Sequence, residues 1–276
     1  MNRKLLLLIA FVTCSSAIVQ AQLYLGIHGG ATLPQNSYAD SRMSDNEWMF
    51  TQGHQFKAGA GKGFLAGVDV SFALPVYPAL EVAFSADFMQ SNPSRDVREY
   101  YEYIYSMRYS ACSSYEMHLP KFQNIPLLLG VRYAYPASTT IDFYGEALAG
   151  VNMRRITDWS LSYASAHWVQ PEGAEELEFD NIDSREYTPS TTFAFRLGTG
   201  FIINKKITLG ASFCMLGSAP LVWNRTTIVR NVIAGQVVEN TVQTHTDFHS
   251  INPTMVTIQM GYRFNPFKGP RHTQDW

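Results

Sequence analysis

Two histidines and an aspartate alternate near the end of the chain, in the run Thr244-His-Thr-Asp-Phe-His249. On a β-strand alternate residues share one face, so His245, Asp247 and His249 would stand side by side. Imidazole and carboxylate groups in such a row can bind a metal ion or transfer a proton. Because the sequence shows neither a fourth ligand nor a nucleophile beside them, a polar loop edge without chemistry is the competing interpretation.

The rest of the sequence offers little further catalytic chemistry. It has no Gly-rich phosphate loop and no nucleophile elbow, and we expect neither a cofactor nor a metal. We expect His28 to be a hydrogen-bonded interior group rather than a catalyst. Cys112 and Cys214 lack the neighbouring ligands of a zinc site, and we expect no disulfide between them. A net charge of −2 argues against nucleic-acid binding.

The N-terminus has the features of a secretory signal peptide. A basic start precedes a short apolar run, and small residues then lead to Val19-Gln-Ala21. We predict cleavage after Ala21. No later apolar run reaches the roughly 20 residues of a membrane helix, so any part that spans a membrane must do so as strands.

Eight segments alternate between an apolar row and a row of small, polar and charged residues. The clearest is Gln123–Tyr135, where every second residue from Ile125 to Tyr133 is apolar. This alternation fits a strand with lipid on one side and a polar interior on the other. The eight predicted strands are Leu23–Leu33, Phe64–Leu74, Leu80–Met89, Gln123–Tyr135, Ile141–Asn152, Phe193–Ile203, Ile207–Met215 and Val256–Phe264.

The connections between these strands alternate between long and short. The long ones are Pro34–Gly61, Gln90–Met117, Asp158–Ser190 and Gly217–Ser250; the short ones are Pro75–Pro78, Pro136–Thr139 and Asn204–Lys206. The pattern predicts an all-β fold, an eight-stranded antiparallel up-and-down transmembrane β-barrel with four long extracellular loops and three short periplasmic turns. We predict that residues 22–264 form this barrel and that residues 265–276 form a short periplasmic tail. In a β-sandwich, long and short connections are not expected to alternate in this way. In a soluble lipocalin-like barrel, the glycine-rich, sparsely charged rows would face water. Such rows fit a crowded lumen better than a solvated surface.

Charged residues recur on the inward rows of the predicted strands. We predict a structural ionic network in the lumen formed by Asp69, Glu81, Arg132, Asp142, Glu146, Arg196 and Arg263, with Asp87 on the same inward rows. Strand order and height predict two clusters, Glu81/Arg132/Asp142 and Glu146/Arg196, with Arg263 joining the first. Paired charges of this kind should fill a barrel of eight strands and leave no open pore.

Three local features lead to further expectations. The runs Thr226–Ile233 and Gln236–Thr244 predict a hairpin that projects beyond the wall. Pro126 lacks the N–H that a ladder requires, so we expect a bulge or a broken ladder bond beside it. Trp48, Met49 and Phe50 could form a small plug or contact patch.

The third long loop is strongly acidic. Between Glu172 and Glu186 only Arg185 opposes the carboxylates, which are Glu172, Glu175, Glu176, Glu178, Asp180, Asp183 and Glu186. A solvated face is one interpretation. The other is divalent-cation binding near anionic lipopolysaccharide, although no EF-hand spacing is present.

Three short runs resemble a known family. The run Gln123-Asn-Ile-Pro-Leu-Leu-Leu129 with Arg132-Tyr133, the opening Leu25-Gly-Ile-His-Gly-Gly30 and the closing Met260-Gly-Tyr-Arg-Phe264 are similar to the PorT-type outer-membrane β-barrel family of Bacteroidota. The resemblance implies a small outer-membrane barrel, and the name-giving member is linked to type IX protein secretion. Two features depart from the family: Gly130 stands where such sequences often have lysine, and the chain continues beyond Phe264.

Two classes of function remain open. The first is a non-enzymatic outer-membrane barrel that serves as a structural, assembly or protein-secretion-associated component with interacting extracellular loops and a closed lumen. The second is an outer-membrane hydrolase or lipid-modifying enzyme with its site at the rim near His245, Asp247 and His249. For both classes, the expected location is the outer membrane of a Gram-negative bacterium. The expected partners are outer-membrane lipid, lipopolysaccharide and other envelope or secretion proteins.

Overall fold

In the part of the chain that the structure describes, eight strands close into an antiparallel barrel and five more form a second sheet. The computed structural model describes residues 22–39, 59–99, 112–167, 177–233 and 236–266. The barrel strands are β1 (Gln22–Gln35), β2 (Ala60–Ala73), β3 (Leu80–Pro93), β5 (Phe122–Pro136), β6 (Ile141–Ile156), β9 (Ser190–Ile203), β10 (Ile207–Met215) and β13 (Thr254–Phe264). Each pairs with the next in this order, and β13 closes the barrel on β1.

Helices contribute little to the described structure. The short helix α1 (Asn36–Ala39) follows β1, and residues 95–99 form a second helical turn after β3. Among the described residues, we find no helix with the length and apolar character needed to cross a membrane. The predicted signal peptide, the Trp48–Phe50 patch and all but the first two residues of the predicted tail lie outside the described residues.

The alternation along the wall separates an exposed face from a buried one. On β5, Leu129 is 58% exposed on the outside of the barrel, whereas Leu128 is 1% exposed in the interior. The inward row of the same strand also carries buried Asn124 and Arg132. The predicted assignment of the two rows of this strand is therefore confirmed.

Pro126 interrupts one of the two ladders of β5. On the β6 side the pairing is continuous, and Pro126 lies opposite Asn152. On the β3 side the ladder stops at Ala86 and Leu127 and resumes at Met89 and Asn124 without a change of register. The expected broken ladder is confirmed. Because the register is the same on both sides of the gap, the strand has no bulge at Pro126.

Glycines on the inward rows allow neighbouring strands to approach closely. A Cβ added at Gly30, Gly130 or Gly150 would overlap a backbone carbonyl oxygen of the adjoining strand. The same holds for Gly63 and Gly200. Such positions let the wall coil tightly enough to close with only eight strands.

The second sheet consists of segments inserted between barrel strands. Its strands are β4 (Cys112–His118), β7 (Trp159–His167), β8 (Leu177–Tyr187), β11 (Ala219–Ile233) and β12 (Gln236–Ile251), in the order β12-β11-β8-β7-β4. The hairpin predicted in the fourth long connection is confirmed by β11 and β12.

The structure corrects the interpretation of the second and third long connections, which were expected to lack strands. β8 is rich in Asp, Glu and Asn, which strands generally disfavour, and its alternation does not reveal a strand. It becomes a strand because it pairs with β11 on one side and β7 on the other. β4 in turn pairs with β7, so a short polar segment completes the sheet.

The base of the second sheet joins the barrel through an apolar cluster. Trp223 of β11 and Ile251 of β12 are both 1% exposed and belong to the same buried cluster as Leu216, Tyr38 and Phe122. The rings of Tyr38 and Phe122 meet edge to face, with centroids 5.6 Å apart. Buried apolar side chains therefore pack at the loop end of the barrel.

Candidate functional site

Arg132 is the centre of a charged layer inside the barrel. Its Nη2 and Nε donate to Glu146 Oε2 of β6 at 2.9 and 3.1 Å. Its Nη1 lies 3.6 Å from Asp69 Oδ2 of β2 and 3.8 Å from Glu81 Oε2 of β3. One guanidinium therefore joins carboxylates from three different strands.

Glu146 connects Arg132 to a second arginine. Arg196 of β9 is 2% exposed, and its Nε lies 3.2 Å from Glu146 Oε1. Its Nη1 donates to Asp87 Oδ2 of β3 at 2.7 Å, across the lumen. The two oxygens of Glu146 thus bridge two buried guanidinium groups.

His28 of β1 lies between two carboxylates. Its Nδ1 is 3.4 Å from Asp69 Oδ1, and its Nε2 is 2.5 Å from Asp87 Oδ1. Both nitrogens can donate at once only when the ring carries two protons. His28 is a hydrogen-bonded interior group, as predicted, and it connects the Arg132 and Arg196 parts of the network.

Two further pairs lie nearer the short turns. Arg263 Nη2 of β13 donates to Glu81 Oε1 at 2.7 Å, and its guanidinium carbon lies 3.9 Å from the centre of the Tyr24 ring. Lys205, in the turn after β9, donates to Asp142 Oδ1 at 2.6 Å. Lys205 is itself exposed, so its pair with Asp142 lies at the edge of the network.

The predicted pairs Glu81/Arg132 and Glu146/Arg196 are confirmed. The expected division into two clusters is wrong, because the pair of Arg132 and Glu146 joins both groups into one network. Asp142 was expected beside Arg132, but the β5–β6 register places Glu146 opposite Arg132 and Asp142 opposite Pro136. In a closed barrel, neighbouring strands are staggered along the axis. Two residues at equal distances from their strand ends therefore need not lie at the same height. Arg263 does contact Glu81 from another part of the wall, as expected.

Among the described residues, the charges of the network balance when His28 is protonated. Its carboxylates are Asp69, Glu81, Asp87, Asp142 and Glu146, and its cations are Arg132, Arg196, Arg263 and Lys205. His28 adds a fifth positive charge when both of its ring nitrogens carry a proton, as donation to Asp69 and Asp87 together requires. Since a buried unpaired charge is costly, this balance allows so many ionic groups to remain inside the barrel.

Glycines on neighbouring strands make room for these side chains. A Cβ at Gly26 would lie 2.5 Å from Asp69 Oδ1, and one at Gly198 would lie 2.9 Å from Glu146 Cγ. A Cβ at Gly67 would overlap Asp87 and His28. The sequence analysis placed His28 and Asp87 in the interior but did not predict their partners, and it did not predict the role of Lys205. For His28 and Asp87 there was a usable signal, because the inward Gly67 lies opposite both.

Apolar side chains close the lumen on the loop side of the network. Leu65, Met89, Leu128, Leu148 and Met255 are all buried in the same cluster. Above them, burial raises the pKa of the Tyr38 phenol of α1 above its ordinary value. On the turn side, a cavity of about 230 Å³ is lined by Tyr24, Glu81, Asp142, Lys205 and Arg263 among others. This cavity ends at the ionic network.

We predict that the purified protein forms no stable channel in planar bilayers, because both packed layers would have to open to pass ions. The measurement is single-channel current across a range of voltages, with a known porin as positive control. Reproducible unitary conductance steps from protein free of other barrels would contradict a closed lumen.

The candidate chemistry on β12 is placed by its backbone alone. His245 pairs with Arg225, Asp247 with Trp223 and His249 with Leu221 of β11. His245 is exposed, and the side chains of the other two lie outside those described. Within the described part of the chain, no group of three or more His, Cys, Asp or Glu side chains has an arrangement that could hold a metal ion. The convergence that catalysis would require stays an untested prediction.

The acidic segment lies mainly outside the described side chains. Of its charged residues, Glu186 is exposed on β8 and Arg185 is buried against the Trp159 ring, with its guanidinium carbon 4.4 Å from the ring centre. Cation binding by this segment therefore stays a prediction.

No protein-family model and no curated protein matches the sequence. Among solved structures, OprG from Pseudomonas aeruginosa matches with 12% identity over 89% of this chain and 97% of its own, at a TM-score of 0.37. A major outer membrane protein from Thermus thermophilus matches with 11% identity over 88% and 99%, at 0.35. AlkL, determined in lipid bilayers, matches with 10% identity over 91% and 93%, at 0.36. These likenesses are too weak to transfer a function, which must follow from the residues of this chain.

Proposed function

We propose that the chain is a non-enzymatic outer-membrane barrel whose closed interior holds the wall rigid and whose loop side presents the second sheet. The observation that carries this proposal is that polar and apolar side chains are arranged in the opposite way to those of a soluble protein. Large apolar side chains cover the outside of the wall, while arginines, carboxylates and asparagines are buried within it. Water on both sides of the wall would not favour this distribution.

The apolar exterior extends around the barrel. Ile27 of β1, Phe193 of β9 and Met260 of β13 are 60%, 68% and 64% exposed, and similar residues occur on the other barrel strands. Soluble monomers rarely expose a continuous apolar surface of this extent, and a hydrocarbon layer would cover it. Outer-membrane lipid is therefore the proposed partner of the wall, and lipopolysaccharide is the proposed neighbour of the loop side.

The resemblance to the PorT-type family supports a secretion-associated role only weakly. Gly130, where such sequences often have lysine, lies so close to β6 that a Cβ would overlap the Ala147 carbonyl oxygen. A lysine here would require the backbone of β6 to move. We therefore propose the more general role of structural or assembly component rather than a role in type IX secretion.

Insertion into lipid can be tested by one charge on the outer wall. Leu129 lies at the middle of β5 and points outward, so Leu129→Arg should lower the free energy of unfolding from phospholipid vesicles by about 2–4 kcal/mol. Val76 is 77% exposed in the turn between β2 and β3, and Val76→Arg is the matched control with little expected effect. Equal stability of the two variants, or a soluble monomer without lipid or detergent, would rule out the proposal.

The proposed orientation places the second sheet outside the cell and the short turns in the periplasm. In a variant lacking Cys112 and Cys214, a membrane-impermeant maleimide should label Thr244→Cys on intact cells. It should label Ser138→Cys, in the turn between β5 and β6, only after the outer membrane is permeabilised. The reverse labelling pattern would invert the orientation while leaving the barrel intact.

A further inference from the structure

The outer edge of β12 is open in the described structure. β12 is 16 residues long and pairs with β11 on one side only. Every side chain from Asn240 to Thr246 is exposed. An edge strand carries unpaired N–H and C=O groups that another extended chain can bind. Natural edges are commonly protected by Pro or Lys, and β12 contains neither.

The side chains next to this edge continue two rows that cross the sheet. In the first row, Val242 lies opposite Ile228 of β11, which lies opposite Ile182 of β8. Ile228 and Ile182 are partly buried, whereas Val242 at the edge is 57% exposed. A further strand would place a side chain beside Val242, and an apolar one would extend this row.

The second row, on the other face, is basic. His245 lies opposite Arg225, which lies opposite Arg185 of β8. His245 ends the row at the open edge and is exposed. An acidic side chain on an added strand would lie directly beside His245 and could accept a hydrogen bond from its ring.

Strand direction indicates what kind of chain can add there. β12 leads into β13, and β4, at the opposite edge of the sheet, leads into β5, so both edge strands run towards the barrel. Two copies inserted the same way in one membrane could join these edges only in parallel. Antiparallel addition, the more favourable pairing, requires a strand that runs away from the barrel.

We propose that β12 binds an extended segment of a different polypeptide by antiparallel strand addition. The segment carries an acidic residue opposite His245 and, three positions later, an apolar residue opposite Val242. Main-chain hydrogen bonds give affinity, and these two side chains set the register. The edge and its two rows follow from the fold, so the inference does not depend on which membrane the barrel occupies.

Synthetic peptides test the proposal on the full-length mature protein in detergent micelles. One fluorescein-labelled, threonine-rich ten-residue peptide carries glutamate three positions before valine, and a second has the same composition with glutamate three positions after valine. Fluorescence anisotropy should show saturable binding of the first peptide, about tenfold tighter than of the second. No saturable binding, or equal binding of the two peptides, would overturn the proposed register.

Edge variants locate the binding site. Val242→Lys and His245→Glu should each weaken binding of the first peptide by about tenfold. Thr226→Lys places the same charge one strand further from the edge and should leave binding unchanged. If the edge variants had no effect, the peptide would bind elsewhere and the proposal would fail. A dimer of the protein that Val242→Lys dissociates would overturn it in favour of a second copy at this edge.

Discussion

Replacement of Glu146 by glutamine should lower the free energy of unfolding by about 3–5 kcal/mol, because it leaves two buried guanidinium groups without their shared counter-charge. Glu146 contacts Arg132 at 2.9 Å and Arg196 at 3.2 Å, and its side chain is fully buried. Glutamine keeps the shape of the side chain, so the loss reports on charge rather than on a cavity. The measurement is urea unfolding in phospholipid vesicles, followed by tryptophan fluorescence.

Two comparisons make the Glu146 result specific. Glu116→Gln removes a carboxylate that is mostly exposed beside His118, and it should leave stability unchanged. A double-mutant cycle with Arg196→Gln should reveal favourable coupling between positions 146 and 196. If Glu146→Gln matched Glu116→Gln in stability, the ionic network would not hold the wall together.

Replacement of Gly150 by alanine should destabilise the barrel by about 1–3 kcal/mol, because the added methyl group would overlap the Leu127 carbonyl oxygen of β5. A backbone atom cannot rotate away as a side chain can, so β5 and β6 would have to separate. The same urea titration in vesicles measures the effect.

Gly145 supplies the matched control on the same strand. A Cβ built there meets no atom within 4 Å, so Gly145→Ala should be neutral or slightly stabilising. Equal losses at the two positions would mean that the change reflects general glycine effects in β6 rather than the close approach of β5.

The sequence alone determined the wall of the barrel. Alternation from Ile125 to Tyr133 assigns each residue to one of two faces, because successive side chains of a strand point in opposite directions. The alternation of long and short connections indicates an up-and-down order, and the structure has the corresponding closed barrel. The lack of an N–H in proline was enough to predict the interrupted ladder at Pro126.

Only the tertiary structure decided how these elements interact. Asp142 was expected beside Arg132, but Glu146 lies there, because the stagger between strands is set by closure of the whole barrel. Likewise, the acidic segment of β8 forms a strand only because it pairs with β7 on one side and β11 on the other. Alternation is a local property that one strand carries, whereas register and sheet membership depend on partners distant in sequence.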